Sequence, residues 1–249
     1  MIAPIRLTPA VKVLLLACLG TFLVQKAVGG MVGLFGLTPS AFVFDFQLWQ
    51  IVTYAFLHGD VMHLILNLMM LAFIGSELEA LWGTRKFLQF YFTCVVTAGL
   101  LYLLLQVGVW GGEGLQTPMV GASGGIYGLL MAYGLLFGER VMLFLMIFPM
   151  KAKHFVWILM GVELLNSMDS QSRLASGAHL GGMAGGFGYL WLRALWQRSR
   201  AQKGSGSSGK GTVGQRRKSA SHLKLIINNE NPGAGGDEES SRGNPRTWH

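Results

Sequence analysis

Apolar runs recur six times along the first 200 residues of this chain, most of them near the roughly 20 residues that a bilayer-crossing helix needs. They cover residues 11–28, 61–81, 87–109, 121–137, 155–165 and 177–196. Hydrocarbon offers no partner to a backbone N–H or C=O, so a segment entering it must satisfy those groups within itself, as a helix does. The chain is therefore expected to be an all-α polytopic membrane protein, a bundle of six transmembrane helices. The fifth run is short, and the apolar stretch before it, 141–150, is broken by Pro149 and followed by Lys151. That stretch reads as an interfacial segment rather than a span. Only 13% of residues are charged, and mean hydropathy is +0.44. Soluble domains carry about 25% charged residues, so an ordinary soluble fold is excluded.

A net charge of +8 and a pI near 9.7 invite a nucleic-acid partner, but the placement of the basic residues does not. With the N-terminus in the cytoplasm, the inner side collects Arg6, Lys12, Arg85, Lys86, Arg140, Lys151, Lys153, Arg193, Arg198 and Arg200, and the outer side only Lys26 and Arg173. This is a positive-inside bias, with both termini cytoplasmic, the bilayer as partner and no nucleic acid. The first run lacks a small-residue cleavage site and reads as a retained helix. No organelle transit segment is visible, which points to a bacterial inner (plasma) membrane. Cys18 and Cys94 fall within spans and read as buried thiols. From about Ala201 the chain turns to Gly/Ser-rich and Asn/Gly-rich sequence. Residues 1–200 are expected to form one membrane domain and 201–249 a disordered basic cytoplasmic tail. Within the tail, Arg216, Arg217 and Lys218 suit anionic lipid, and 222–227 is a short apolar patch. Phosphate loops and paired CxxC motifs are absent from the sequence, so neither cofactor nor metal is expected.

Polar side chains inside spans are costly and are functional candidates by default. Here they are His58 at the end of the first outer loop, His63 and Asn67 in span 2, Ser123 opening span 4 and His179 near the start of span 6. His63 and Asn67 are four apart and share a helix face, as do Ser123 and Tyr127. Depth can be counted from the basic residues at the inner interface. Ser123 lies 17 residues from Arg140, His179 14 from Arg193 and Asn67 18 from Arg85, or about 25, 21 and 27 Å along a helix. In a core of about 30 Å, all three reach the outer third. Spans 4 and 6 also carry paired small-residue faces: Gly121 with Gly125 and Gly124 with Gly128, then Gly181 with Gly185 and Gly182 with Gly186. Such faces let helix backbones approach closely, which would bring His179 against Ser123.

Taken together, His58-x4-His63-x3-Asn67, Gly121-Ala-Ser123-Gly and Ala178-His179-x2-Gly182-x3-Gly186 resemble the motifs of the rhomboid intramembrane serine proteases. Glu79-x3-Gly83 and Trp49 add to the likeness, which covers about residues 48–191. The resemblance implies a six-helix rhomboid bundle that cleaves single-span transmembrane substrates. It implies Ser123 as nucleophile and His179 as general base. His63, Asn67 and the Ser123 backbone N–H would form an oxyanion hole. Tyr127 would stack on His179, and Glu79 would tie span 2 to the first loop. Gly121 and His58 take supporting places. No acid lies within a helical turn of His179, so a Ser–His dyad is expected, with Tyr127 orienting the base in place of a third polar group. Two departures stand out. Trp49-Gln50 replaces a frequent Trp-Arg, so the loop's anchoring is expected to differ, and Ser123 is followed by Gly-Gly rather than Gly-Ala.

Other classes fit less well. Gly121-Ala-Ser123-Gly-Gly125 also satisfies the G-x-S-x-G nucleophile elbow, but that motif needs a soluble α/β sheet around it. An inert relative typically lacks the serine or the histidine, and both are present. A transporter would show charged substrate sites and repeated halves. Glu163 and Asn166 are polar at mid-membrane to outer depth in span 5 and receive no role from the sequence. Neither the oligomeric state nor the natural substrate can be read from it.

Overall fold

A computed structural model describes residues 6–109, 114–144, 148–169 and 173–206 of the chain. Its long helices are α1 (Pro9–Ala27), α2 (Val61–Trp82), α3 (Thr84–Val109), α4 (Ser123–Leu136), α5 (Ala152–Asn166) and α6 (Arg173–Gly206). Each stands where an apolar run is expected. By length and composition, α1, α2 and α3 can cross a membrane, and α4 is a shorter apolar helix. At 34 residues, α6 extends about 51 Å, well past a hydrocarbon core. Its last six residues lie beyond the composition change at Ala201, and the compact unit ends with it at Gly206. The basic triplet 216–218, the apolar patch 222–227 and the rest of the expected tail lie outside the described residues.

The packing is that of a membrane bundle. On α1 the buried residues are Ala10, Val11, Leu14, Cys18 and Phe22, the last four a single stripe at helical spacing. The opposite face is equally apolar yet exposed, with Val13 at 66% and Leu16 at 68%. An apolar surface this continuous suits lipid rather than water. The core sits on α3, whose Phe87, Phe90, Tyr91, Cys94, Val95 and Ala98 are all buried, and α4 and α6 pack against it. The paired glycine faces of α6 divide between these two neighbours. A Cβ at Gly182 would fall 2.0 Å from the Gly124 carbonyl oxygen on α4, whereas one at Gly185 would meet the Thr97 hydroxyl on α3 at 1.8 Å. Any side chain at these positions would force the helices apart.

Two readings gain detail and one changes. Within the stretch read as interfacial lies an antiparallel strand pair, β1 (Val141–Phe144) beside β2 (Phe148–Lys151), in the register Val141 opposite Lys151. Its base is tied by Lys151 and Lys153, both bonded to Glu139. These two cations pull the Glu139 carboxyl down to about 2. Glu79 does not tie span 2 to the first loop. Its carboxylate takes the Thr8 hydroxyl, the Ala10 and Val11 N–H groups (3.0 Å each) and the Thr84 hydroxyl (2.6 Å). The first-turn N–H groups of a helix have no acceptor within it, and a carboxylate there also meets the positive end of the helix dipole. Glu79 therefore caps α1. The first loop is anchored instead by the buried Gln50, which accepts from Thr38 N–H at 3.0 Å and donates to the Gly33 carbonyl at 3.2 Å. A neutral amide is both donor and acceptor, which an arginine at this place could not be. Trp49 adds its indole N–H to the Leu34 carbonyl, 2.9 Å.

Candidate active site

Ser123 is the first residue of α4, and the chain leading to it is strapped to the first loop. Leu37 and Met119 exchange backbone hydrogen bonds of 3.0 and 2.9 Å, Ser40 N–H donates to Leu115, and Gly121 N–H donates to the Tyr54 carbonyl at 3.0 Å. Gly121 has φ +125°, which few residues with a Cβ adopt. A Cβ there would lie 2.8 Å from the His63 ring, so glycine serves both the turn and the approach of His63. As the first residue of its helix, Ser123 keeps a backbone N–H with no acceptor inside α4.

His179 lies two turns into α6 and is carried against α4 by the contact of Gly182 with Gly124. Its Nε2 is 2.9 Å from Ser123 Oγ. The Tyr127 ring, one turn below Ser123 on the same face of α4, stacks on the imidazole with 4.0 Å between centroids and 7° between planes. The pair expected from sequence is thus within hydrogen-bond reach, and the aromatic ring lies where the resemblance places it.

The expectation that no acid attends His179 is corrected. Glu163 of α5 puts Oε1 3.0 Å from His179 Nδ1, and the same oxygen takes the Tyr127 hydroxyl. The Ser176 hydroxyl is a further partner of this carboxylate. A helical turn from His179 reaches only acids of α6 itself, and this one comes from the preceding helix. Depth would have found it. Glu163 is three residues from the end of α5 and His179 six from the start of α6, so in antiparallel neighbours both lie near the connecting loop.

The remaining candidates divide. His63 lines the same cavity as Ser123 and His179, a space of about 120 Å³ bounded also by Tyr54, Met119 and Ala178. That is room for several waters. Asn67 lies one turn further along α2, is 6% exposed and does not line the cavity; its amide donates to the His63 carbonyl at 2.8 Å. The structure therefore brings His63 to the serine and leaves Asn67 behind it. His58 is fully buried, edge-on to the His63 ring at 5.2 Å. Its backbone is clamped by Gln25 of α1, which donates to the His58 carbonyl at 2.8 Å and accepts its N–H at 3.2 Å. Neither His58 ring nitrogen makes a hydrogen bond of ordinary geometry. Burial and the neighbouring His63 push this histidine down to about 4, against a weaker pull from the Phe56 carbonyl.

Residues 45–196 match the family model described as Rhomboid domain. Over 83 residues, a third of the chain, it is 41% identical to "Rhomboid-like protease 3" of Toxoplasma gondii, covering 31% of that protein. Over 149 residues, 55% of the chain, it is 27% identical to "RHOMBOID-like protein 12, mitochondrial" of Arabidopsis thaliana, covering 44% of it. The chain thus spans less than half the length of these curated relatives.

Proposed function

We propose that this chain, which belongs to the rhomboid family, is an intramembrane serine endopeptidase that cuts transmembrane segments with Ser123 and His179. The family and the apolar helices make it an integral membrane protein related to proteases. The reading of its chemistry rests on the 2.9 Å approach of Ser123 Oγ to His179 Nε2 at one end of an apolar bundle. A serine hydroxyl is a poor nucleophile near neutral pH unless a base takes its proton. In the first step Oγ bonds to the scissile carbonyl carbon and its proton passes to His179 Nε2. The carbonyl oxygen becomes an oxyanion that the Ser123 N–H and the His63 ring meet as donors, with Asn67 joining when its second amide proton turns toward the cavity. Each such donor accounts for about 100-fold or more in rate. Collapse breaks the C–N bond, and His179 returns the proton to the leaving amine. Water, deprotonated by the same base, then releases the acyl group and restores Ser123.

The substrate is a single-span membrane protein, unwound near the cut, since a backbone carbonyl inside a helix is not open to attack. The loop charges support an orientation with both termini of this chain in the cytoplasm and the site at the outer side. Ser123→Ala and His179→Ala should each abolish cleavage of a single-span reporter in membranes while leaving expression intact. Labelling of Ser123 by a fluorophosphonate should disappear in both. Cleavage that survives Ser123→Ala would sink the mechanism.

A further inference from the structure

We infer that Glu163 is the positioning acid of this site, holding His179 through Nδ1 so that the reaction runs on a Ser123–His179–Glu163 chain rather than a bare dyad. The inference rests on the reading of Ser123 and His179 as nucleophile and base. Its geometry is specific to that chemistry. The two ring nitrogens of His179 are used on opposite sides, Nε2 at 2.9 Å from Ser123 Oγ and Nδ1 at 3.0 Å from Glu163 Oε1. A neutral imidazole carries one N–H and one lone pair. A carboxylate can only accept, so it draws the proton to Nδ1 and leaves the Nε2 lone pair facing the serine. When Ser123 gives up its proton, the imidazolium that forms stands beside a negative charge instead of bare hydrocarbon.

The carboxylate is itself held. Tyr127 of α4 and Ser176 of α6 bring hydroxyls to it, and its side chain is only 6% exposed. Glu163 thereby joins three helices at one point. A carboxylate is expensive within a bundle, and a mere tie between helices needs no charge. Tyr127 also gains a second part: its face fixes the plane of the imidazole while its hydroxyl fixes the acid behind it. No proton needs to reach Glu163 at any step, because the Nδ1 proton stays on the ring throughout.

The test uses the full chain in lipid, as wild type, Ser123→Ala, Glu163→Gln and Glu163→Asp, with a fluorogenic single-span reporter. Glu163→Gln keeps the shape but can present its NH₂ to Nδ1, which favours the wrong tautomer. It should lower kcat by on the order of 10²–10⁴-fold with KM little changed. Glu163→Asp keeps the charge and should recover part of that loss. Nitrogen-15 NMR of imidazole-labelled protein gives a readout on the unmutated chain: His179 should carry its proton on Nδ1, and on Nε2 in Glu163→Gln. Wild-type protein with the proton on Nε2 overturns the inference. So does a Glu163→Gln enzyme with normal kcat, or an equal kcat loss in the Gln and Asp variants accompanied by a common fall in Tm. Cleavage persisting in Ser123→Ala would fail the underlying reading, whereas Ser123-dependent cleavage indifferent to Glu163→Gln fails this inference alone.

Discussion

The ring of Tyr127 lies flat on the imidazole of His179, 4.0 Å between centroids and 7° from parallel. Face and hydroxyl can be separated by substitution. Tyr127→Phe keeps the stack and loses one hydrogen bond to Glu163, worth about 1 kcal/mol, so kcat should fall about fivefold. Tyr127→Leu removes the plane that holds the base, and a loss on the order of 100-fold is expected. Steady-state cleavage of a single-span reporter reads both. Equal losses in the two variants would show that the stacked face contributes nothing.

Gly182 sets the distance between nucleophile and base. Gly182→Ala would put a Cβ 2.0 Å from the Gly124 carbonyl oxygen, pushing α6 from α4 one turn below His179. Fluorophosphonate labelling of Ser123 should slow by about 100-fold, the usual result of a displacement near 1 Å in a reacting pair. Gly188→Ala on the same helix meets nothing within 4 Å and should label at the normal rate. A Gly182→Ala protein that labels normally would mean the helices have room to spare.

At the other end of α2, Glu79 stabilises without taking part in the reaction. It is 16 residues from His63, about 24 Å along the helix. Glu79→Gln retains an acceptor but loses the charge at the start of α1. Stability should drop by about 2 kcal/mol, seen as a lower Tm in detergent, with kcat unchanged below the new Tm. An unchanged Tm would refute the capping role.

His58 makes the bundle sensitive to acid. Its ordinary value is 6.5 and burial takes it to about 4, so the unfolded chain binds more protons between those two limits. Stability is then full above pH 6.5 and erodes as pH falls toward 4. In His58→Phe, a ring without titrating nitrogens, this part of the acid loss should vanish. Thermal melts at pH 7, 5.5 and 4.5 compare the two proteins; parallel declines would assign the acid loss to other groups.

The helices are legible because an apolar run of about 20 residues has few physical solutions, and the ends of α1 to α5 fall close to the ends of their runs, whereas α6 continues ten residues past its own. Ser123 and His179 stand out as polar residues at similar depth, helical spacing gives His63 and Tyr127 their faces, and the roles of those two come from the family resemblance. Partnerships between elements were harder. Glu79 was assigned to the first loop, and nothing in its spacing shows that packing delivers Thr8 and the start of α1 to it. Glu163 reads as polar at mid-membrane to outer depth with no role, since its partner lies across a loop on another helix. Asn67 shares the face of His63, yet its amide is turned back onto the His63 carbonyl, a rotamer choice that spacing does not fix. The strand pair β1–β2 is hidden by apolar residues that suit a strand as well as an interface.

One irregularity of α2 bears on how the chain could have changed over time. Asn67 and Glu79 are twelve residues apart, and at about 100° per residue a regular α-helix would turn them about 120° from each other. The wide π-turn at Leu71–Gly75 takes in one extra residue, which leaves about 20° between them. Both are buried, at 6% and 2% exposure. Deleting one residue from that turn would make the helix regular while both polar groups stayed inward. The same deletion elsewhere between them would swing one of the two toward lipid. The wide turn is thus the place in α2 where descent can insert or remove a residue without breaking either end.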